Sequence, residues 1–289
     1  MIASNNPVVT VLMSVYNGQK YLAEAIESIL SQTYDDFEFL IIDDHSSDRS
    51  VEIIKSYNDD RIRLVQNNTN IGQTKSLNKG IGLARGEFIA RLDQDDMAMS
   101  ERLEKQMLYM QKHSEIDLLG SWTVKINDNG ETVRKFAPPH KAKHIIDYFI
   151  IGNPFAHSSV LFKKKSVLSC GCYNESLRYC QDKELWVRMI KHNMDFQIIP
   201  DELVKIRLYD DRSTKKSVNQ SPIMKEEIIT LNEVLNLEAL SRIRRFYCRF
   251  KTIAYAIFVT FKIYRDHYIY KIVIGVLDFP FMPRRYLFK

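Results

Sequence analysis

Three short polar clusters in this sequence have the composition of a site that handles phosphates and cations. Ser14-Val15-Tyr16-Asn17, Asp43-Asp44 and Asp93-Gln94-Asp95-Asp96 each follow directly on an apolar, β-branched run. The last cluster packs three carboxylates into four residues, which repel one another unless a cation sits among them. Hard oxygen ligands of this kind favour Mg²⁺ or Mn²⁺, ions that usually share their coordination sphere with substrate phosphates. The competing reading is a solvated acidic turn that caps a helix at Ser100. Other chemistries lose ground on motif grounds. Gly80-Ile81-Gly82-Leu83-Ala84-Arg85-Gly86 precedes a strand, whereas a dinucleotide-binding glycine loop must follow one and open a helix. No G-x-x-x-x-G-K-[ST] phosphate loop occurs, so hydride transfer and P-loop phosphoryl transfer are both disfavoured. Gly86 is expected to end the helix before the fourth strand.

The elements that position these clusters alternate. Val8–Val15 and Phe37–Asp43 are continuous apolar runs, as in parallel strands buried on both faces. Lys20–Gln32 carries a helical stripe at Leu22, Ile26, Ile29 and Leu30. Ser50–Tyr57 reads as a second helix with Asp48 as its cap or first-turn acid. Arg61–Gln66 alternates like an edge strand, Thr74–Ala84 is helical and Glu87–Leu92 is a fourth strand. Four strands with intervening helices imply an α/β fold with a doubly wound, mostly parallel sheet. The loops after the strands then share one edge, where ligands bind.

After Ser100 the pattern changes. A helix is expected over Glu101–Lys112, then a strand over Ile116–Ile126 running into a tight turn at Asn127-Asp128-Asn129-Gly130. Further strands are expected over His157–Lys163, Phe196–Ile199 and Leu203–Leu208, with a short helix over Asp182–Lys191. Trp186 in that helix reads as core. From Pro222 onward the chain becomes helical, then basic and aromatic.

Composition bounds the rest. The chain has 289 residues, 45% hydrophobic and 27% charged, enough for a sizeable core. Met1–Pro7 has neither the basic nor the apolar part of a secretory leader. Cys170, Cys172, Cys180 and Cys248 show no zinc spacing, which suits free thiols in a reducing cytosol. The net charge is +5, but Ser241–Lys289 holds eleven Lys and Arg against two Asp, leaving the remainder four negative.

Taken together, V-T-V-L-M-S-V-Y-N (9–17), S-I-L-S-Q-T-Y-D-D-F-E-F-L-I-I-D-D-H-S-S-D (28–48), N-I-G-Q-T-K-S-L-N-K-G-I (70–81) and A-R-G-E-F-I-A-R-L-D-Q-D-D (84–96) resemble glycosyltransferase family 2. The second half is similar more loosely, through Asn153-Pro154-Phe155-Ala156-His157, Tyr179-Cys180-Gln181-Asp182, and Ile206-Arg207-Leu208-Tyr209 with Ser213. The resemblance implies a GT-A fold: a nucleotide-sugar-binding half (1–100), an acceptor-binding half (101–221) and a helical, basic-aromatic C-terminal region (222–289). It implies an inverting, metal-dependent transfer of a sugar from a nucleotide sugar, a UDP-sugar in most of the family, to a carbohydrate or lipid-linked hydroxyl. The setting it implies is surface polysaccharide assembly.

Carried over to this chain, the resemblance puts Tyr16 against the nucleotide base and Asp44 in a hydrogen bond with it, with Asp43 as the alternative loop-holding acid. Lys75 either reaches ribose or phosphate or is a solvated helix lysine. Asp93 and Asp95 bind ribose and metal, and Asp96 is a second metal candidate. Asp182 is implied as the base that takes the acceptor proton; its alternative is a first-turn acid favoured by the helix dipole. Gln181 stands where the family has Glu, which bears on acceptor contacts. His157 is either a satisfied structural histidine or a contact to the donor diphosphate or acceptor. Asp210–Asn219 and the stretch around Gly171 are candidate closing loops. A sugar nucleotidyltransferase would want a glycine-rich, arginine-bearing loop where Tyr16-Asn17-Gly18-Gln19 stands. A non-catalytic carbohydrate-binding protein would not need Asp182.

The tail from Phe246 is dense in aromatics, and its longest uncharged run, Thr252–Phe261, falls short of the ~20 residues that span a bilayer. Interspersed cations and aromatics suit a segment lying on an anionic membrane surface, giving a cytoplasmic enzyme peripheral on the inner face of the cell membrane. Otherwise the tail packs its aromatics on the catalytic core or on a second subunit in a homodimer. Nucleic acid is not an expected partner, because the body is net negative and no recognition motif occurs.

Overall fold

The computed structural model describes residues 6–208, 221–237 and 245–253. Asp210–Asn219, Tyr209, Ser213 and the tail after Ile253 lie outside the described residues. The first half follows the alternation of its sequence: β1 (Val9–Val15), α1 (Leu22–Leu30), β2 (Phe37–Asp43), α2 (Ser50–Ser56), β3 (Ile62–Gln66), α3 (Gln73–Leu83) and β4 (Phe88–Arg91). β1 and β2 are buried at every residue, which is why their sequences show no polar alternation. The four strands pair in parallel, with Val9 opposite Phe37 and Phe88, and Phe39 opposite Ile62.

The second half continues the same sheet. β5 (Met97–Ala98), α4 (Arg102–Lys112), β6 (Ile116–Ile126), β7 (Thr132–Phe136), α5 (Ala142–Tyr148), β8 (Leu161–Lys163), α6 (Lys164–Ser169), α7 (Gln181–Lys191), β9 (Asp195–Arg207) and α8 (Ser221–Leu235) complete the described elements, with residues 245–253 also helical. The strand order is β3-β2-β1-β4-β8-β6-β9-β5, with β7 on β6. β8 runs antiparallel to both β4 and β6, so the sheet turns mixed where the second half begins.

Successive residues of β1 feed opposite faces of the sheet. Leu12 joins the core that holds α3, α5, α7 and α8, whereas Val9, Val11, Met13 and Val15 join the core under α1 and α4. This is the two-sided cover a parallel sheet needs.

Several expectations are corrected. His157 lies in a 3-10 turn (His157–Ser159) ahead of β8, so the strand is shorter than its apolar run. The two strands expected around Pro200 are one strand, β9, which absorbs the interruption by register shifts against β6 at Ser121–Thr123. Gly86 does not cap α3, whose C-cap is Ala84. A Cβ on Gly86 would lie 2.5 Å from the Thr10 nitrogen, so its role is close passage of the chain beside β1.

Candidate active site

The three polar clusters do meet at one edge of the sheet, and the contacts between them are specific. The Gln94 side chain accepts from the Tyr16 N–H at 2.8 Å and donates back to the Tyr16 carbonyl at 3.2 Å. A Cβ on Gly18 would come within 2.7 Å of Gln94, so a glycine there lets the two loops lie together. The loop after β1 is also laced to the loop after β2: Asn17 N–H donates to Ser46 Oγ, Gly18 N–H to Ser50 Oγ, and Gln19 N–H to Asp48. Asn17 and His45 take positive φ to make these turns. Tyr16 is left 48% exposed on the rim.

Asp43 and Asp44 divide the work at the end of β2. Asp43 receives the Ser46 N–H at 3.3 Å and holds its own turn. Asp44 accepts from Asn67 Nδ2 (2.8 Å), Ile71 N–H (2.9 Å) and Gly72 N–H (2.8 Å). A carboxylate offers about four acceptor positions, so one remains on Asp44. Gly72, at φ +89°, is the residue that lets the chain present two successive N–H groups to Asp44. Lys75 stands exposed one turn into α3.

The three aspartates after β4 take different main partners, and Asp93 and Asp96 share the Ser158 hydroxyl. Asp93 pairs with the fully buried Arg91 and accepts from Gln73 Nε2 at 3.0 Å. Asp96 is only 1% exposed, and both its oxygens are taken, by Ser158 Oγ at 2.6 Å and the Arg207 N–H at 3.0 Å. The Ser158 hydroxyl also reaches Asp93 at 3.0 Å, so one hydroxyl lies between two carboxylates. Arg207 donates through Nε to the Asp95 carbonyl (3.4 Å), binds Glu24 of α1 (2.6 Å) and lies over the Tyr21 ring. Arg91, Ser158 and the Arg207 N–H thus meet part of the charge on Asp93 and Asp96. Among the described residues no group of three or more His, Cys, Asp or Glu is placed to hold a metal. The hard-oxygen donors Asp93 and Asp95 nevertheless suit Mg²⁺ or Mn²⁺ brought with a diphosphate, since such ions take one or two carboxylates plus phosphate oxygens.

Asp182 is the second residue of α7. Its Oδ2 accepts from Asn153 Nδ2 at 2.8 Å and its Oδ1 from the Lys183 N–H at 2.7 Å. Burial, reinforced by the Asp93 charge and opposed by the Lys183 N–H, pushes this carboxyl up to about 6. His157 is bonded through Nε2 to the Tyr173 hydroxyl at 2.9 Å and packs edge-on to Tyr173 and Trp186. Burial and the Arg91 charge hold it down to about 3, so it is neutral at physiological pH. Trp186 is fully buried, as expected of core.

Asn153, Ser158, Arg91, Gln94 and Arg207 were not among the candidate site residues, although each binds one of them or its backbone. Asn153 and Arg207 stand inside the quoted motifs. Arg91 and Gln94 also stand inside them, two residues or fewer from Asp93, whereas Ser158 carried no signal because the fold alone brings it to Asp93 and Asp96.

The model of the family described as Glycosyl transferase family 2 matches residues 10–171, more than half of the chain. The chain belongs to glycosyltransferase family 2. It is 42% identical to an uncharacterized glycosyltransferase of Methanocaldococcus jannaschii over 71% of this chain and 72% of that one. It is 32% identical to the O-antigen biosynthesis glycosyltransferase WbnJ of Escherichia coli over 73% of this chain and 83% of that one. Among solved structures, TarS of S. aureus in complex with UDP-GlcNAc superposes with a TM-score of 0.67 at 20% identity, covering 83% of this chain and 70% of that one. The fold of this family 2 enzyme is therefore that of TarS, a mixed α/β GT-A architecture. Sugar nucleotidyltransfer and non-catalytic binding are set aside by the family match. Asp182 and α8 lie beyond the residues the family model matches.

Proposed function

We propose that this glycosyltransferase is an inverting enzyme that uses a UDP-sugar and delivers the sugar to a carbohydrate or lipid-linked hydroxyl in surface polysaccharide synthesis. The observation that carries the reading is the Asp182 carboxyl, held by Asn153, raised toward neutrality and near enough to Asp93 to feel its charge. A base needs a pKa close to the working pH and a free lone pair. Asn153 Nδ2, the Lys183 N–H and the residue's own N–H approach the Asp182 carboxylate, and of its about four acceptor positions one is left for the acceptor hydroxyl.

The roles follow from position. Tyr16 stacks on the nucleotide base at the rim, and Asp44 offers its remaining acceptor position to the base's N–H. Lys75 approaches the ribose or phosphates. Asp93 binds ribose, and Asp95 with Asp93 would hold Mg²⁺ or Mn²⁺; Asp96 keeps the strand end in place. A divalent ion, when bound with the donor, neutralises the charge on the departing nucleoside diphosphate. Asp182 takes the acceptor proton as the acceptor oxygen bonds to the anomeric carbon, while the bond from that carbon to the diphosphate breaks on the opposite side. His157, neutral and half-buried, stands beside this step with Tyr173.

WbnJ is named for O-antigen biosynthesis, which supports a polysaccharide context, and TarS was solved with UDP-GlcNAc, which supports a UDP-sugar. The basic tail suits an anionic membrane surface. In its described part Phe246, Phe250 and Ile253 form an exposed apolar stripe beside Arg249. No helix among the described residues is long and apolar enough to cross a membrane. Nucleotide release from a panel of UDP-, GDP- and dTDP-sugars with Mn²⁺ and candidate acceptors tests the reading. Release from UDP-sugars supports it, and release confined to another base overturns the donor assignment.

A further inference from the structure

We infer that Glu226 of α8 is a positioning residue for the base, so that the helix beyond the sheet belongs to the catalytic unit. The inference rests on the reading of Asp182 as base. α7 starts at Gln181, and its N-cap, Cys180, offers no side-chain cap. The three N–H groups ahead of the helix all point to one carboxylate: Arg178 N–H donates to Glu226 Oε1 at 3.0 Å, and Tyr179 and Cys180 N–H donate to Oε2 at 2.7 and 2.9 Å. Glu226 is 9% exposed. Successive N–H groups turned toward one point form an anion nest, and a carboxylate at a helix N-terminus is further favoured by the dipole.

The seat of this carboxylate is two residues from Asp182. With Asp182 bonded to its own helix through the Lys183 N–H, any swing of residues 178–180 moves the base. A second contact fixes the same corner: Lys183 Nζ meets Glu227 at 2.7 Å with the lysine buried. Lys191 and Glu233 join the far ends of the two helices. Met224, Leu231 and Val234 of α8 enter the core that holds Leu185, Trp186 and Met189 of α7. Residues 245–253 pack behind, with Cys248 Sγ on the Leu231 carbonyl and Lys251 Nζ on the Ile151 carbonyl. The described residues 245–253 thus touch both α8 and the loop that carries Asn153.

The test uses the full chain and two variants, Glu226→Ala and Glu226→Gln. Amide exchange at Arg178, Tyr179 and Cys180 reads the nest without any assay of turnover. In Glu226→Ala these amides are expected to exchange at least ~10-fold faster. Its kcat is expected to fall ~10-fold or more, the scale of a small misplacement of a reacting group, with the Kd for UDP within about twofold of wild type. Glu226→Gln keeps an acceptor oxygen in place and is expected to fall between the two. A folded Glu226→Ala with faster exchange and wild-type kcat overturns the inference, as does a loss of UDP affinity in step with kcat. If Glu226→Ala does not fold, wild-type exchange and kcat in Glu226→Gln overturn it. A wild-type chain that transfers no sugar overturns the base assignment itself, with the exchange result standing apart.

Discussion

Asn153 donates from Nδ2 to Oδ2 of Asp182 at 2.8 Å, joining a loop to a helix start 29 residues away. The Asn153 Oδ1 in turn accepts from the Phe155 N–H at 3.1 Å, so the amide is fixed at both ends. One carboxylate oxygen is thereby aimed, an arrangement suited to a base and more elaborate than a first-turn acid requires.

The rate is expected to depend on pH through this carboxyl. Asp182 acts only when ionised, so kcat falls as pH drops through about 6 and levels off above it. Initial rates from pH 5 to 8 check this. An acid limb near 4 would return Asp182 to an ordinary solvated carboxyl.

The same shift has a stability consequence of opposite sense. The folded-state pKa lies above the unfolded one, so the ionised form is the one the fold disfavours. The cost is absent below about pH 4 and full above about pH 6. Asp182→Asn is therefore expected to raise stability at pH 7.5 by up to about 3 kcal/mol, from a shift of about two pKa units at 1.36 kcal/mol each. Denaturant melts at pH 4 and pH 7.5 check it, with the gain confined to the higher pH.

Asp44 is expected to matter both for the fold and for the nucleotide. Asp44→Ala leaves three donors without an acceptor, at a cost of roughly 3 kcal/mol or more, and raises the Kd for UDP in calorimetry. Unchanged affinity in a folded variant shifts the base contact to Asp43.

How much of this was legible beforehand follows from the physics of each element. β1 and β2 are buried on both faces, so their sequences are unbroken apolar runs and their ends mark the site. β7 is exposed along most of its length and β5 has two residues, so neither leaves a periodic trace. The D-Q-D-D run was plain, yet the inward turn of Asp96 depends on Ser158 and Arg207, 62 and 111 residues away. Likewise the Glu226 contact to residues 178–180 joins segments that no local pattern connects.

Metal dependence is expected to follow the donor and not the free protein. Chelation by EDTA abolishes transfer, and Mn²⁺ or Mg²⁺ restores it. Asp95→Ala weakens UDP binding measured with the metal present and leaves metal-free binding little changed. Equal loss in both conditions would place Asp95 in the fold alone.

The tail is expected to hold the enzyme to anionic vesicles at low salt and to release it as salt rises. A chain ending at Leu240 keeps α8 and is expected to stay in solution in flotation assays. Equal flotation of both chains contradicts a membrane role.

The most direct measurement compares wild type with Asp182→Asn on a UDP-sugar and its acceptor, following UDP release and UDP affinity in parallel. The expected result is a fall in kcat of ~10²-fold or more with unchanged UDP affinity, and inverted anomeric configuration in the wild-type product by NMR. An Asp182→Asn enzyme that turns over at the wild-type rate would contradict the assignment of Asp182 as the base.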